Sequence, residues 1–109
     1  MTDDTAVPSR FAYVAQQRPD WAKAFGGFFG AAYRPENPTL TEAERVLTYL
    51  TVLTAAGSVD SFRIHLADAA KVGLSREQIL EALLLVTPAF GYQKVMDVVD
   101  HLRDYEPDA

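Results

Sequence analysis

Ser58, Ser61 and His65, in the stretch GSVDSFRIH, stand at the spacing S-x-x-S-x-x-x-H. With cysteines at the two serine positions this would be a dithiol redox site backed by a histidine. The chain has no cysteine, so disulfides, Cys-ligated zinc, iron–sulfur clusters and thiol peroxidase chemistry carried by this chain alone are excluded. Serine cannot stand in, because the thiolate is the nucleophile and an alcohol is far too weakly acidic. What remains is the His65 imidazole, a group suited to moving a proton to or from a bound acid. At 3.6 residues per turn, Ser58, Ser61, Phe62, His65, Ala69 and Val72 share one helical stripe. The stripe is a polar notch on an otherwise apolar face. Arg63 and Lys71 point elsewhere. The competing role for His65 is structural: a buried imidazole bonded to a hydroxyl or carbonyl.

Other chemistries are poorly served. The second histidine, His101, is far along the chain, and neither H-x-x-x-H nor E-x-x-H occurs, so no metal site is expected. There is no G-x-S-x-G elbow for a serine nucleophile. The glycines of FGGFFG follow no strand, as a phosphate loop would require. Arg45 and Arg34 could hold a carboxylate, since guanidinium matches its geometry, though salt bridges serve them equally well. Ser58, Ser61 and Tyr33 could hydrogen-bond a ligand. Glu81, Asp97 and Asp100 read as solvated or interfacial, and Met96 as core filling.

These residues need helices to position them. The pattern is helix-periodic throughout, with no strand-like alternation, and predicts an all-α chain of about six helices. A first helix runs to Gln17 from Pro8-Ser9. A second begins at Pro19 and Asp20 and carries Trp21, Phe25, Phe28 and Phe29. Its Gly26, Gly27 and Gly30 suggest close helix–helix approach or, alternatively, backbone lining a cavity. RPENP is a loop, because its prolines forbid regular helix. Thr41-x-x-Glu44 is a capping box opening a third helix to Ala56. Leu47, Leu50 and Thr54 line one of its faces and Tyr49, Val52 and Ala56 another, as expected of a helix deep in a core or shared with another subunit. Gly57 breaks the chain, and Ser58 caps a fourth helix that ends at KVG. Ser75-x-x-Gln78 caps a fifth, whose apolar run from Ile79 to Val86 is wide enough to be central. Pro88 and Gly91 end it, and a sixth spans Tyr92 to Asp104.

The chain of 109 residues suits one domain over 1–109, with frayed ends at 1–7 and 106–109. Hydrophobic residues make up 49% and charged residues 23%, as in ordinary globular proteins. The net charge of −5 argues against nucleic acid and anionic membrane partners. The first residues hold no apolar signal-peptide core, and no apolar run is long enough to span a bilayer, so a cytoplasmic setting is expected.

From FGGFFGAAYRP onward the chain resembles the carboxymuconolactone decarboxylase superfamily, which includes the alkylhydroperoxidase AhpD-like proteins. The resemblance rests on that aromatic-glycine helix, on TEAERVLTYLTVLTAAG, on RIHLADAAKVGLSREQILEALL and on FGY, and covers about residues 20 to 103. The third block is the most specific. From Gly73 it follows the superfamily's G-x-[ST]-x-E-[EQ]-I-x-E-x-[LI] pattern, and His65 stands eight residues before that glycine, with Asp68 between them. AhpD-like members carry C-x-x-C-x-x-x-H and a glutamate about three turns upstream; here Ser58, Ser61 and Val46 stand at those places and only His65 remains. The decarboxylase branch reads G-x-x-x-E-L-R-x-H. Gly57, Arg63 and His65 match it, Phe62 replaces its leucine and Ser61 its glutamate.

The resemblance implies an AhpD-like helical bundle that assembles as a homotrimer or homohexamer with sites near subunit boundaries. It implies a cofactor-independent lyase or isomerase acting on a small organic acid or lactone, with His65 as general acid or base. Arg45 or Arg34 would anchor a carboxylate, and Ser58, Ser61 or Tyr33 would bind the ligand. A non-catalytic oligomeric ligand-binding or scaffold protein remains the alternative.

Overall fold

The computed structural model describes residues 10–108. Among them every regular element is a helix: α1 (Arg10–Gln17), α2 (Pro19–Tyr33), α3 (Glu42–Ala56), α4 (Val59–Lys71), α5 (Arg76–Leu84), α6 (Thr87–Phe90) and α7 (Gln93–Arg103). Six of these answer to the six expected; α6 is a single turn that Pro88 starts and Gly91 ends. Pro8 and Ser9 lie outside the described residues. So does the expected fraying at 1–7.

The chain's contacts group into two compact units, Met1–Thr39 and Leu40–Ala109. In the first, α1 and α2 form a helical pair joined at Arg18. Aromatic rings at four-residue spacing on α2 stack in sequence: Trp21 on Phe25 (5.3 Å between centroids), Phe25 on Phe29 (6.0 Å) and Phe29 on Tyr33 (5.0 Å). Phe11 of α1 packs on the first two. Among the described residues the expected close approach at the glycines is not found: a methyl group at Gly26, Gly27 or Gly30 would meet no atom within 4 Å.

In the second unit α3 packs on α4, α5 and α7, and α7 also packs on α4 and α5. Each helix contributes one stripe to the core at three- and four-residue spacing: Val46, Leu50, Leu53 and Thr54 from α3, Phe62, Leu66 and Ala69 from α4, Ile79 and Leu83 from α5, Val95, Val98 and Leu102 from α7. Thr54 is buried without penalty because its hydroxyl donates to the Leu50 carbonyl at 2.8 Å. The apolar run of α5 is not wholly central. One face of so short a helix can be buried, so Leu80, Leu84 and Leu85 are exposed beside it. Met96 is likewise off the α7 stripe and 43% exposed, not core filling.

Helix ends follow the local chemistry. Thr41 and Ser75 each accept a hydrogen bond from the backbone N–H three residues on, while Glu44 and Gln78 reach back to the cap N–H. Gly57 ends α3 at φ 76°, with its N–H and that of Ser58 both bonding to the Leu53 carbonyl. Ser58 occupies the cap position of α4, but its side chain makes no capping bond. Its ψ is 74°, against 162° and 159° at Thr41 and Ser75. That backbone does not adopt the extended geometry from which a cap oxygen reaches the first turn.

Hydrogen bonds join the acidic segment beyond α7 to the rest of the second unit. The Tyr105 hydroxyl donates to the Leu74 carbonyl at 2.6 Å, Arg76 donates to the Tyr105 carbonyl and pairs with Glu106, and the Asp108 N–H donates to Ala70. These bonds fasten the segment to the α4–α5 turn. Burial, with the nearby Asp108 charge, pushes the Tyr105 phenol above its ordinary value.

Candidate active site around His65

The expected stripe on α4 separates into two. Phe62, Leu66 and Ala69 are fully in the core, whereas Ser58, Ser61, His65, Asp68 and Val72 run alongside them half-buried. The second stripe is the edge at which α4 meets its neighbours, where a side chain can touch both core and solvent.

His65 lies on that edge and its partner is a carboxylate. Its Nδ1 is 2.9 Å from Asp68 Oδ2, and the two side chains are 19% and 21% exposed. An ionised carboxylate only accepts hydrogen bonds, so Nδ1 carries the hydrogen. In the neutral ring the basic lone pair then belongs to Nε2. With Asp68 ionised, the contact thus selects this tautomer and orients the ring. It escaped the sequence reading although H-x-x-D at 65 and 68 is an (i, i+3) pair on one helix, which is the signal that could have found it.

Tyr49 of α3 also contacts His65. Its ring meets the His65 ring edge-on, 5.1 Å between centroids and 83° between planes. Burial pushes the Tyr49 phenol above its ordinary value. The sequence placed Tyr49 on an apolar face of α3 without assigning it to the site. Arg45, one turn earlier on the same side of α3, donates to the Leu40 carbonyl at 2.6 Å and so holds the chain entering the helix.

Of the other expected site residues, Ser58 and Ser61 share the α4 edge with His65. Tyr33 and Arg34 belong to the first unit, where the Tyr33 ring stacks on Phe29 and the Arg34 guanidinium lies 5.2 Å from the Tyr33 ring centroid. Val46, where the redox branch has its glutamate, is a core residue only 2% exposed. Among the described residues no group of three His, Asp or Glu side chains is placed to hold a metal ion. No helix there is long and apolar enough to cross a membrane.

The sequence profile of the carboxymuconolactone decarboxylase family matches residues 19–104. The chain belongs to the carboxymuconolactone decarboxylase family. The match covers most of the chain, runs across both units and includes α3, α4 and the His65–Asp68 pair. Comparison with curated proteins and with solved structures finds no match.

Proposed function

We propose that the chain is a cofactor-independent lyase or isomerase of the carboxymuconolactone decarboxylase type, acting on a small organic acid or lactone. His65 is its general acid/base. The 2.9 Å contact between His65 Nδ1 and Asp68 carries this reading. With Nδ1–H committed to the carboxylate, Nε2 is the atom that takes a proton from a carbon acid. The same atom returns a proton to the carbanion or enolate left by proton abstraction or CO2 loss. Asp68 steadies the imidazolium formed in between, and Tyr49 holds the ring plane. Partial exposure of His65 lets a substrate reach it, unlike an imidazole sealed in the core.

Assembly as a homotrimer or homohexamer belongs to the same proposal. It is supported by the exposed apolar side chains Val52, Leu80, Leu84 and Leu85. In this reading one arginine, Arg45 or Arg34, contacts a carboxylate when a neighbouring subunit completes the site, and Ser58, Ser61 or Tyr33 hydrogen-bonds the ligand. One observation favours a non-catalytic binding or scaffold protein instead: an ion pair within a single helix also stabilises that helix with no substrate present.

The deciding variant is His65→Gln, assayed against a panel of lactones and small carboxylic acids for CO2 release or isomerisation. Turnover is expected to fall by about 10²–10⁴-fold with the oligomer unchanged. Undiminished turnover would end the acid/base assignment.

A further inference from the structure

At the α3–α4 turn and in the first turn of α4, three polar side chains make no side-chain hydrogen bond or ion pair among the described residues. Lys94 of α7 reaches across this turn, its Nζ 3.2 Å from where a Cβ on Gly57 would stand. Lys94 is half-buried, yet it forms no ion pair or side-chain hydrogen bond among the described residues. Ser58, the next residue after Gly57, is half-buried and its hydroxyl makes no capping bond. Ser61, one turn on, is also half-buried, and neither serine hydroxyl has a hydrogen-bond partner among the described residues. Half-buried polar groups without a protein partner keep their donors available, and a ligand carrying acceptors can take them up.

We infer that Lys94, with the hydroxyls of Ser58 and Ser61, holds the carboxylate of the substrate. The inference rests on the acid/base reading of His65 and adds to it a recognition group that the arginines were expected to supply. An ammonium and two hydroxyls offer only what an anionic oxygen pair accepts, a charge and several donors. The geometry along α4 sets the scale. Ser61 is one turn before His65 and Ser58 nearly two, about 6 Å and about 10 Å along the helix axis. The anchored carboxylate and the carbon that exchanges a proton with Nε2 are therefore opposite ends of one small acid and not adjacent atoms.

The test is an amide-NMR titration of the full chain with succinate as the carboxylate probe, at constant ionic strength, and with succinamide as its neutral counterpart. Saturable shifts are expected at Gly57, Ser58 and Ser61 with succinate and not with succinamide. Lys94→Met should weaken binding about tenfold or more, while Lys94→Arg, which keeps the charge, should retain most of it. Absence of saturable shifts at the turn overturns the inference. So does a Lys94→Met protein that loses thermal stability yet binds succinate as before, because Lys94 then serves only the C-terminal end of α3. The two proposals fail separately. Succinate binding with undiminished turnover in His65→Gln defeats the acid/base reading alone. Loss of turnover in His65→Gln without succinate binding at the turn defeats the carboxylate site alone.

Discussion

Gly57→Ala probes the turn on which this arrangement depends. Gly57 has φ 76°, a left-handed conformation that an L side chain disfavours by about 1–2 kcal/mol. The added methyl would also stand 3.2 Å from Lys94 Nζ. That second effect is small for stability, because the contacted atom is the end of a flexible four-carbon stem and can move by a few tenths of an ångström. The backbone therefore sets the magnitude. A loss of about 1–2 kcal/mol corresponds to roughly 4–16 °C in Tm for a domain near this size. Urea and thermal unfolding followed by far-UV circular dichroism measure it. Combining Gly57→Ala with Lys94→Met separates the two causes: the double variant should recover little of the loss attributable to Gly57→Ala. An alanine variant as stable as the parent would refute the left-handed cap. Full recovery in the double variant would show that the lysine contact, and not φ, sets the cost.

Tyr105→Phe should cost about 1–3 kcal/mol, since the buried Leu74 carbonyl loses its 2.6 Å donor. Because the Tyr105 phenol is pushed up in the folded chain, its contribution is fully present below the unfolded tyrosine value near 10. It is lost as pH rises through the higher folded value, so alkaline melting curves should fall less steeply for Tyr105→Phe. Phe62→Ala empties a site with 0% exposure and should cost about 3–5 kcal/mol, read as a lower urea midpoint by circular dichroism. Thr41→Ala removes the cap of α3 and should lower stability by about 1 kcal/mol in urea titration.

The parts of the fold legible in the sequence are those set within one turn of helix. The Thr41–Glu44 and Ser75–Gln78 boxes involve residues three apart, and their partners are found where the spacing puts them. Gly57 and the glycine of KVG, Gly73, both adopt positive φ at helix ends. Less was legible where backbone conformation or a distant element decides. Ser58 has the right type at the right place for a cap, but its ψ takes the hydroxyl out of use. Whether Leu85 or Met96 is buried depends on which neighbours cover the second face of a short helix, and apolar type alone does not encode that. Within the site, His65 was legible as a reactive type on a half-apolar stripe. Tyr49 and Lys94 were not, because their closeness to His65 and Gly57 exists only once α3, α4 and α7 have packed. Asp68 is the exception: it is local, three residues after His65 on the same helix, and its spacing alone makes the pair legible.

The central claim is that Asp68 holds the hydrogen on Nδ1 of His65 and leaves Nε2 as the working base. Long-range ¹H–¹⁵N correlation spectra of the imidazole, recorded where the ring is neutral, read that tautomer directly and need no substrate. The account predicts a protonated, pyrrole-like Nδ1 and a pyridine-like Nε2 in the parent protein, with that preference lost in Asp68→Ala. A neutral His65 carrying its hydrogen on Nε2, unaffected by Asp68→Ala, would contradict it.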